Sequence, residues 1–262
     1  MTLSVQETIA QRKAQGHGTL VAYLPVGYPD LATSVEASIA VLNSGADILE
    51  LGVPYSDPVM DGTVIARATQ TALERGFKLR HVFPAVAEIV KATGKPVLVM
   101  TYWNPVVQYG VENFATDLKA AGGAGLITPD LIPDEAADWL DISERLELER
   151  VFLAAPSSSD SRLHVAGEQS KGFVYAVSTM GITGTRIDVD SAARGLVERI
   201  YAQGAEATCV GLGISTAEHV TDVVGFADGA IVGSALVRAL SEGGVGAVGE
   251  LAQSLASGTK RN

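Results

Sequence analysis

One cysteine, four histidines and a shortage of basic residues set the first limits on this 262-residue chain. The lone Cys209 excludes an internal disulfide, and its neighbours Thr208, Val210 and Gly211 offer no base to activate a thiol, so it is read as inert core. His17, His81, His164 and His219 are scattered, without H-x-H or H-x-x-x-H spacing, so no catalytic metal site is expected. Lysine and arginine number 19 against 30 acidic residues, a net charge of −11 that argues against nucleic acid or an anionic membrane as partner. An anionic substrate stays open, because backbone N–H groups alone can build a phosphate site. No stretch approaches the ~18 uninterrupted apolar residues of a membrane span. The first 18 residues lack an apolar core and a small-residue cleavage pattern, so no secretory signal is expected and the expected location is cytoplasmic. A P-loop is missing, and so is a G-x-G-x-x-G turn after the first apolar run, which disfavours a dinucleotide-binding fold.

What is present is core material: 47% hydrophobic residues with only 19% charged. Short apolar runs fall at residues 19–24, 47–53, 96–102, 125–128, 151–154, 173–177, 208–212 and 229–232. Between them, segments such as 31–43, 64–75, 82–93 and 111–121 carry apolar residues at helical spacing. Strands alternating with helices mean parallel βαβ units, and eight such units predict an α/β fold of the (β/α)8 TIM-barrel class. No linker or low-complexity segment divides the chain, so residues 1–262 are expected to form a single barrel domain. Residues 5–15 read as an extra N-terminal helix covering the barrel's lower end, and residues 257–262 as a frayed tail.

The second apolar run has a carboxylate in its middle, Glu50. A buried Glu is costly unless paired or protonated, so its pKa is expected to rise. Eleven positions later, a loop rich in Gly, Pro and Asp brings a second acid, Asp61. A raised-pKa acid on a rigid strand, facing an ionised acid on a mobile loop, suits proton transfer near neutral pH. Taken alone, Asp61-Gly62 is an ordinary turn former; its place above the second strand is what marks it.

The last two strands both run through glycine into helices. After Gly211-Leu212-Gly213-Ile214, Ser215 and Glu218 have capping-box spacing; after Val232-Gly233, Ser234 is read as an N-cap. Two glycine-flanked helix N-termini at strands seven and eight make an anion pocket, with phosphate the usual occupant. Tyr175 lies on the sixth strand, ahead of a second polar loop over residues 178–189. Lys95 and Lys171 precede strands, and no Lys falls at a strand C-terminus, which disfavours Schiff-base chemistry.

Together these residues resemble the α subunit of tryptophan synthase, over nearly the whole chain. The stretch 50–58 (ELGVPYSDP) followed by Asp61-Gly62 is the most specific part, supported by 181–184 (GITG), 211–215 (GLGIS) and 233–235 (GSA). The resemblance implies retro-aldol cleavage of indole-3-glycerol phosphate to indole and glyceraldehyde 3-phosphate. It implies that Glu50 moves protons at the substrate, that Asp61 holds the indole N–H and that Tyr175 supports the site. Thr183 would tie the second loop to Asp61, and Gly184, Gly213, Gly233 and Ser234 would bind phosphate. Tyr23, Met100, Tyr102, Pro129 and Leu212 fall where the family lines its indole pocket. The strand-three exit with Trp103 falls where the family meets its β subunit, in an α2β2 complex whose pyridoxal phosphate belongs to β; this chain itself is expected to need no cofactor. Thr63 replaces a usual proline, and Met180 stands where a small polar residue is common.

Other phosphate-binding barrels fit less well. A synthase of the same pathway would want a strand-end Lys, and an isomerase a Cys/Asp pair. A non-catalytic regulator would be expected to lose Glu50 or Asp61, and both are present.

Overall fold

The computed structural model describes residues 4–177, 186–211 and 213–261, with backbone alone over 186–190. Helix α1 (Val5–Ala14) precedes β1 (Thr19–Pro25), α2 (Leu31–Asn43), β2 (Ile48–Gly52), α3 (Thr63–Glu74) and α4 (Val82–Thr93). Then come β3 (Val97–Met100), α5 (Trp103–Tyr109), α6 (Val111–Ala120), β4 (Gly125–Ile127) and α7 (Ala137–Arg145). The second half adds β5 (Glu149–Val151), β6 (Leu153–Ala154), α8 (Asp160–Gln169), β7 (Val174–Val177) and α9 (Arg186–Ala202). It ends with β8 (Thr208–Gly211), α10 (Ala217–Val224), β9 (Gly229–Val232) and α11 (Ser234–Ser257), which is broken at Gly244 (φ 68°, ψ −160°).

The strands are all parallel, in the order β5-β4-β3-β2-β1-β9-β8-β7-β6. The two ends of that order are consecutive in the chain, separated only by Phe152. The sheet therefore closes on itself, as the (β/α)8 reading expects, with its fifth strand in two pieces. Val151 and the rest of β5 pair with β4, whereas Leu153 and Ala154 pair with β7, so the ladder changes partner at Phe152. Phe152 stays anchored: its N–H donates to Ser170 Oγ at 3.2 Å and its carbonyl accepts from Tyr175 N at 3.0 Å.

Local chemistry fixes the helices. Asp30 caps α2 by accepting from Thr33 N at 2.9 Å, and Gly94 ends α4 in the left-handed region at φ 65°. Tryptophan is confined to two places: Trp139 is fully buried in α7, and Trp103 opens α5 half-buried, its N–H donating to Asp130 at 2.9 Å.

The lower end is closed by α1, whose Val5 and Ile9 join the interior cluster of Val21, Ile48, Leu98, Ile127 and Phe173. Its first free N–H groups are claimed by the barrel: Glu149 accepts from Val5 N at 2.7 Å and from Gln6 N at 2.9 Å.

Through Arg261 the tail is not frayed as expected. Gly18 N donates to Thr259 O at 2.7 Å, Arg261 N to Gly16 O at 2.9 Å, and Thr259 is buried. The cause is Asp228, a buried acid just before β9, which draws Lys13 to 3.1 Å and Arg261 to 3.5 Å. Lys95 and Lys171 also lie below the strands: the ammonium of Lys95 is bound to the carbonyls of Leu42 and Ala46 at 2.7 Å, and Lys171 pairs with Glu144.

Candidate active site

Strand pleating puts alternate residues inside a barrel. The inward positions pair off as Val21 and Tyr23, Ile48 and Glu50, Leu98 and Met100, Phe173 and Tyr175, Cys209 and Gly211, and Ile231 and Gly233. The lower member of each pair fills the core. The upper members Tyr23, Glu50, Met100, Tyr175, Gly211 and Gly233 line a cavity of about 550 Å³ at the strands' C-terminal end. Cys209 is buried one layer down, where burial pushes its thiol pKa up, in keeping with an inert role.

Glu50 sits at the floor of this cavity, 1% exposed, next to Tyr23 on β1 and Leu98 on β3. Its Oε2 is buried without a hydrogen-bond partner. Burial, followed by the negative charge of Asp61, raises its pKa to about 8. The carboxyl group is therefore protonated at neutral pH, with one oxygen free to face a ligand. An unpaired buried acid is expensive for a fold, and a reacting group is the ordinary reason to keep one.

Asp61 reaches the same cavity from the loop between β2 and α3. Burial raises its pKa as well, against the pull of a hydrogen bond from Tyr102 Oη at 3.2 Å. The loop acid is thus half-buried too. Glu50 is the more strongly desolvated of the two, so Asp61 ionises first and its charge helps hold the proton on Glu50.

Two of the inward glycines make room for phenols. A β-carbon on Gly52 would collide with the Tyr23 hydroxyl, and one on Gly211 would lie 2.6 Å from the Tyr175 hydroxyl. Each tyrosine leans across the neighbouring strand over its glycine. Burial and the nearby carboxylates raise both phenol pKa values, so both tyrosines remain neutral.

The cavity's other end is formed by Gly213, Ile214, Ser215, Gly233, Ser234 and Ala235. Gly213 takes φ +60°, a backbone that favours glycine. The caps differ by one residue from expectation. Thr216, not Ser215, caps α10, accepting from His219 N at 3.3 Å, while the Ser215 hydroxyl lies 3.4 Å from His219 Nδ1. Gly233 occupies the N-cap of α11 and Ser234 its first helical position, which still turns the first N–H groups toward the cavity.

Of the residues singled out from sequence, Glu50, Asp61, Tyr175, Tyr23, Met100, Gly213, Gly233 and Ser234 come together around one cavity. Tyr102 is buried beside it: it accepts from Met60 N at 2.9 Å, donates to Asp61, and stacks 5.2 Å from the Tyr55 ring. Pro129 follows β4, half-buried, at the same end of the barrel. Thr183, Gly184 and Leu212, like Met180, lie outside the described residues. Thr63 lines the cavity beside Gly62, and Trp103 is packed on the core rather than standing free. Sequence reading missed Met60, Val64, Ile65, Ile231 and Arg238, which also line the cavity. Ile231 was recoverable from the period-two count on β9. Arg238 gives no signal beyond lying four residues after Ser234.

Among the described residues, no cluster of three His, Cys, Asp or Glu side chains could hold a metal, and no helix is long and apolar enough to cross a membrane.

Comparison with known proteins converges on one family. A family model described as "Tryptophan synthase alpha chain" matches residues 9–260. The tryptophan synthase alpha chain of Leifsonia xyli is 62% identical over 257 residues, covering 98% of both chains. That of Mycobacterium avium is 55% identical over 242 residues, covering 92% of this chain and 89% of the relative. Among solved structures, Mycobacterium tuberculosis tryptophan synthase superposes with a TM-score of 0.93 at 48% identity, covering both chains completely. The Pyrococcus furiosus tryptophan synthase complex superposes at 0.83 and 35% identity, covering 92% of this chain and 98% of that one. With a carboxylate-floored cavity at the mouth of a closed barrel and relatives this near along its whole length, the chain belongs to the tryptophan synthase alpha chain family.

Proposed function

We propose that Glu50 and Asp61 divide between them the reaction of this family, the cleavage of indole-3-glycerol phosphate to indole and glyceraldehyde 3-phosphate. Glu50 starts protonated. It gives its proton to carbon 3 of the indole, which turns the ring into an electron sink. The resulting carboxylate then takes the proton from the side-chain hydroxyl at the carbon next to the ring. The carbon–carbon bond breaks, its electron pair restores the aromatic ring, and the hydroxyl-bearing carbon leaves as the aldehyde. Glu50 ends protonated, as it began, so no solvent proton is consumed. Asp61, ionised, holds the ring N–H and stabilises the positive charge that builds there.

The observation that carries this reading is the buried, unpaired Oε2 of a carboxyl group whose pKa lies near 8. Such a group can both give and take a proton near neutral pH. Tyr23, Met100, Ile65 and Ile231 supply the apolar slot for the ring, with Tyr102, Pro129 and Leu212 at its edge. Gly213, Gly233, Ser234 and Gly184 take the phosphate on backbone N–H groups, while Tyr175 supports Glu50 and Thr183 ties the second loop to Asp61.

The partner is the β subunit of tryptophan synthase. We assign the pyridoxal phosphate to that subunit and no cofactor to this chain, and we take residues 1–262 as one cytoplasmic barrel domain within an α2β2 assembly. Indole release by the wild-type chain and by Glu50→Gln, each with and without β, tests the reading. Cleavage lost in Glu50→Gln and accelerated by β is the expected result. Cleavage by Glu50→Gln at the wild-type rate would remove Glu50 from the chemistry.

A further inference from the structure

Arg238 is the only lysine or arginine among the described residues that line the cavity, which otherwise holds two carboxylates. It lies on α11, four residues after Ser234 and three after Ala235, so all three share one helix face. Side chains on a helix lean toward its N-terminus, which directs the guanidinium back over Ser234 and the glycine-flanked mouth. Among the described residues no ion pair or hydrogen bond engages it, although this chain has acidic partners for Arg12, Arg145, Arg150, Arg199 and Arg261. An exposed arginine without a partner, on the rim of an anion pocket, is left to meet the ligand.

The electrostatics give it work to do. A phosphorylated substrate must approach a chain of net charge −11 and settle beside Asp61 and Glu50. Backbone N–H groups can cradle phosphate once it arrives, but they carry little long-range field. A guanidinium adds a full charge and a two-pronged donor that fits phosphate oxygens.

We propose that Arg238 is a substrate-recruiting and specificity-determining residue: it contacts the phosphate from the rim and selects the phosphorylated indole-glycerol over its dephosphorylated form. This rests on the assignment of the phosphate to Gly213, Gly233 and Ser234. Arg238 is exposed on α11 whereas Glu50 is buried on β2, so its effect falls on substrate capture rather than on proton transfer.

The test is steady-state cleavage by the α–β complex carrying Arg238→Gln or Arg238→Lys, at low and high ionic strength, with inorganic phosphate as a competing ligand. Arg238→Gln is expected to raise KM by roughly tenfold or more, the size of one lost charge-assisted hydrogen bond, with kcat within about twofold. The same variant should weaken phosphate inhibition and flatten the salt dependence of kcat/KM, and Arg238→Lys should recover most of the loss. Unchanged KM and phosphate inhibition in Arg238→Gln would overturn the proposal, as would a fall in kcat at constant KM. Turnover by the wild-type complex is the control: its absence would count against the assignment of the reaction, not against Arg238.

Discussion

The hydroxyl of Tyr102 is bound on both sides of one bend, accepting from Met60 N at 2.9 Å and donating to Asp61 Oδ1 at 3.2 Å. A single phenol thus fixes the loop's backbone and aims its carboxylate. Asp61 is otherwise carried on an open loop, with Val59 and Met60 largely exposed beside it.

Tyr102→Phe removes both bonds while leaving the ring against Tyr55. Each bond is worth about 1 kcal/mol, so the loss of both is expected to lower kcat/KM about thirtyfold. The hydrogen bond from Tyr102 lowers the pKa of Asp61, so its loss raises that pKa further. If Asp61 must be ionised to hold the indole N–H, the acid limb of the pH profile moves to higher pH. An acid limb that stays in place would detach Tyr102 from the ionisation of Asp61.

Glu50 ties both activity and stability to pH. Its folded pKa of about 8 exceeds its ordinary value of 4.5, so the folded protein binds the proton more tightly than the unfolded chain. The stabilisation that this provides is complete below about pH 4.5 and is lost as pH rises through 8. Glu50→Gln cannot ionise, so its stability relative to wild type should climb between pH 5 and 8, while its cleavage rate drops on the order of 10²- to 10⁴-fold. Denaturant melts of both proteins across that range check the first part. Parallel stability curves would show that Glu50 is not buried in solution as it is here.

Two glycines of opposite circumstance give a paired test. A β-carbon on Gly52 meets the Tyr23 phenol, so Gly52→Ala should cost about 1–3 kcal/mol and raise KM by displacing the ring into the cavity. Gly195 lies within α9, where a β-carbon finds open space. Gly195→Ala should therefore stabilise the protein by roughly 0.5–1 kcal/mol and leave kinetics untouched. Thermal melts and KM values of the two variants decide both; equal effects would mean that the phenol yields freely.

The helices α2 and α4 were readable to the residue because their ends are written locally, in Asp30 and Gly94. Strand β2 was legible as an apolar run, and the burial of Glu50 followed from its aliphatic neighbours. Which strand residues face inward was harder to read, because a parallel barrel buries both faces and leaves little polar alternation. The break at Phe152 has no local signature, since it records where the ladder changes partner. The pinned tail depends on Asp228 meeting Lys13 and Arg261, residues far apart in sequence. The same holds for the bond between Tyr102 and Asp61, which spans 41 positions and two loops. Capping at Thr216 rather than Ser215 was a choice between adjacent hydroxyls that only the His219 contact decides.

The two indole side chains of the chain are stationed very differently. Trp139 is sealed in α7, whereas Trp103 stands half-buried at the start of α5, its backbone N–H held by Asp130. Their emission is therefore partitioned by position: one fluorophore reports an unchanging interior, and the other senses the polarity of the rim. A change in tryptophan emission on arrival of the partner subunit is expected to come from Trp103, and Trp103→Phe is expected to remove it.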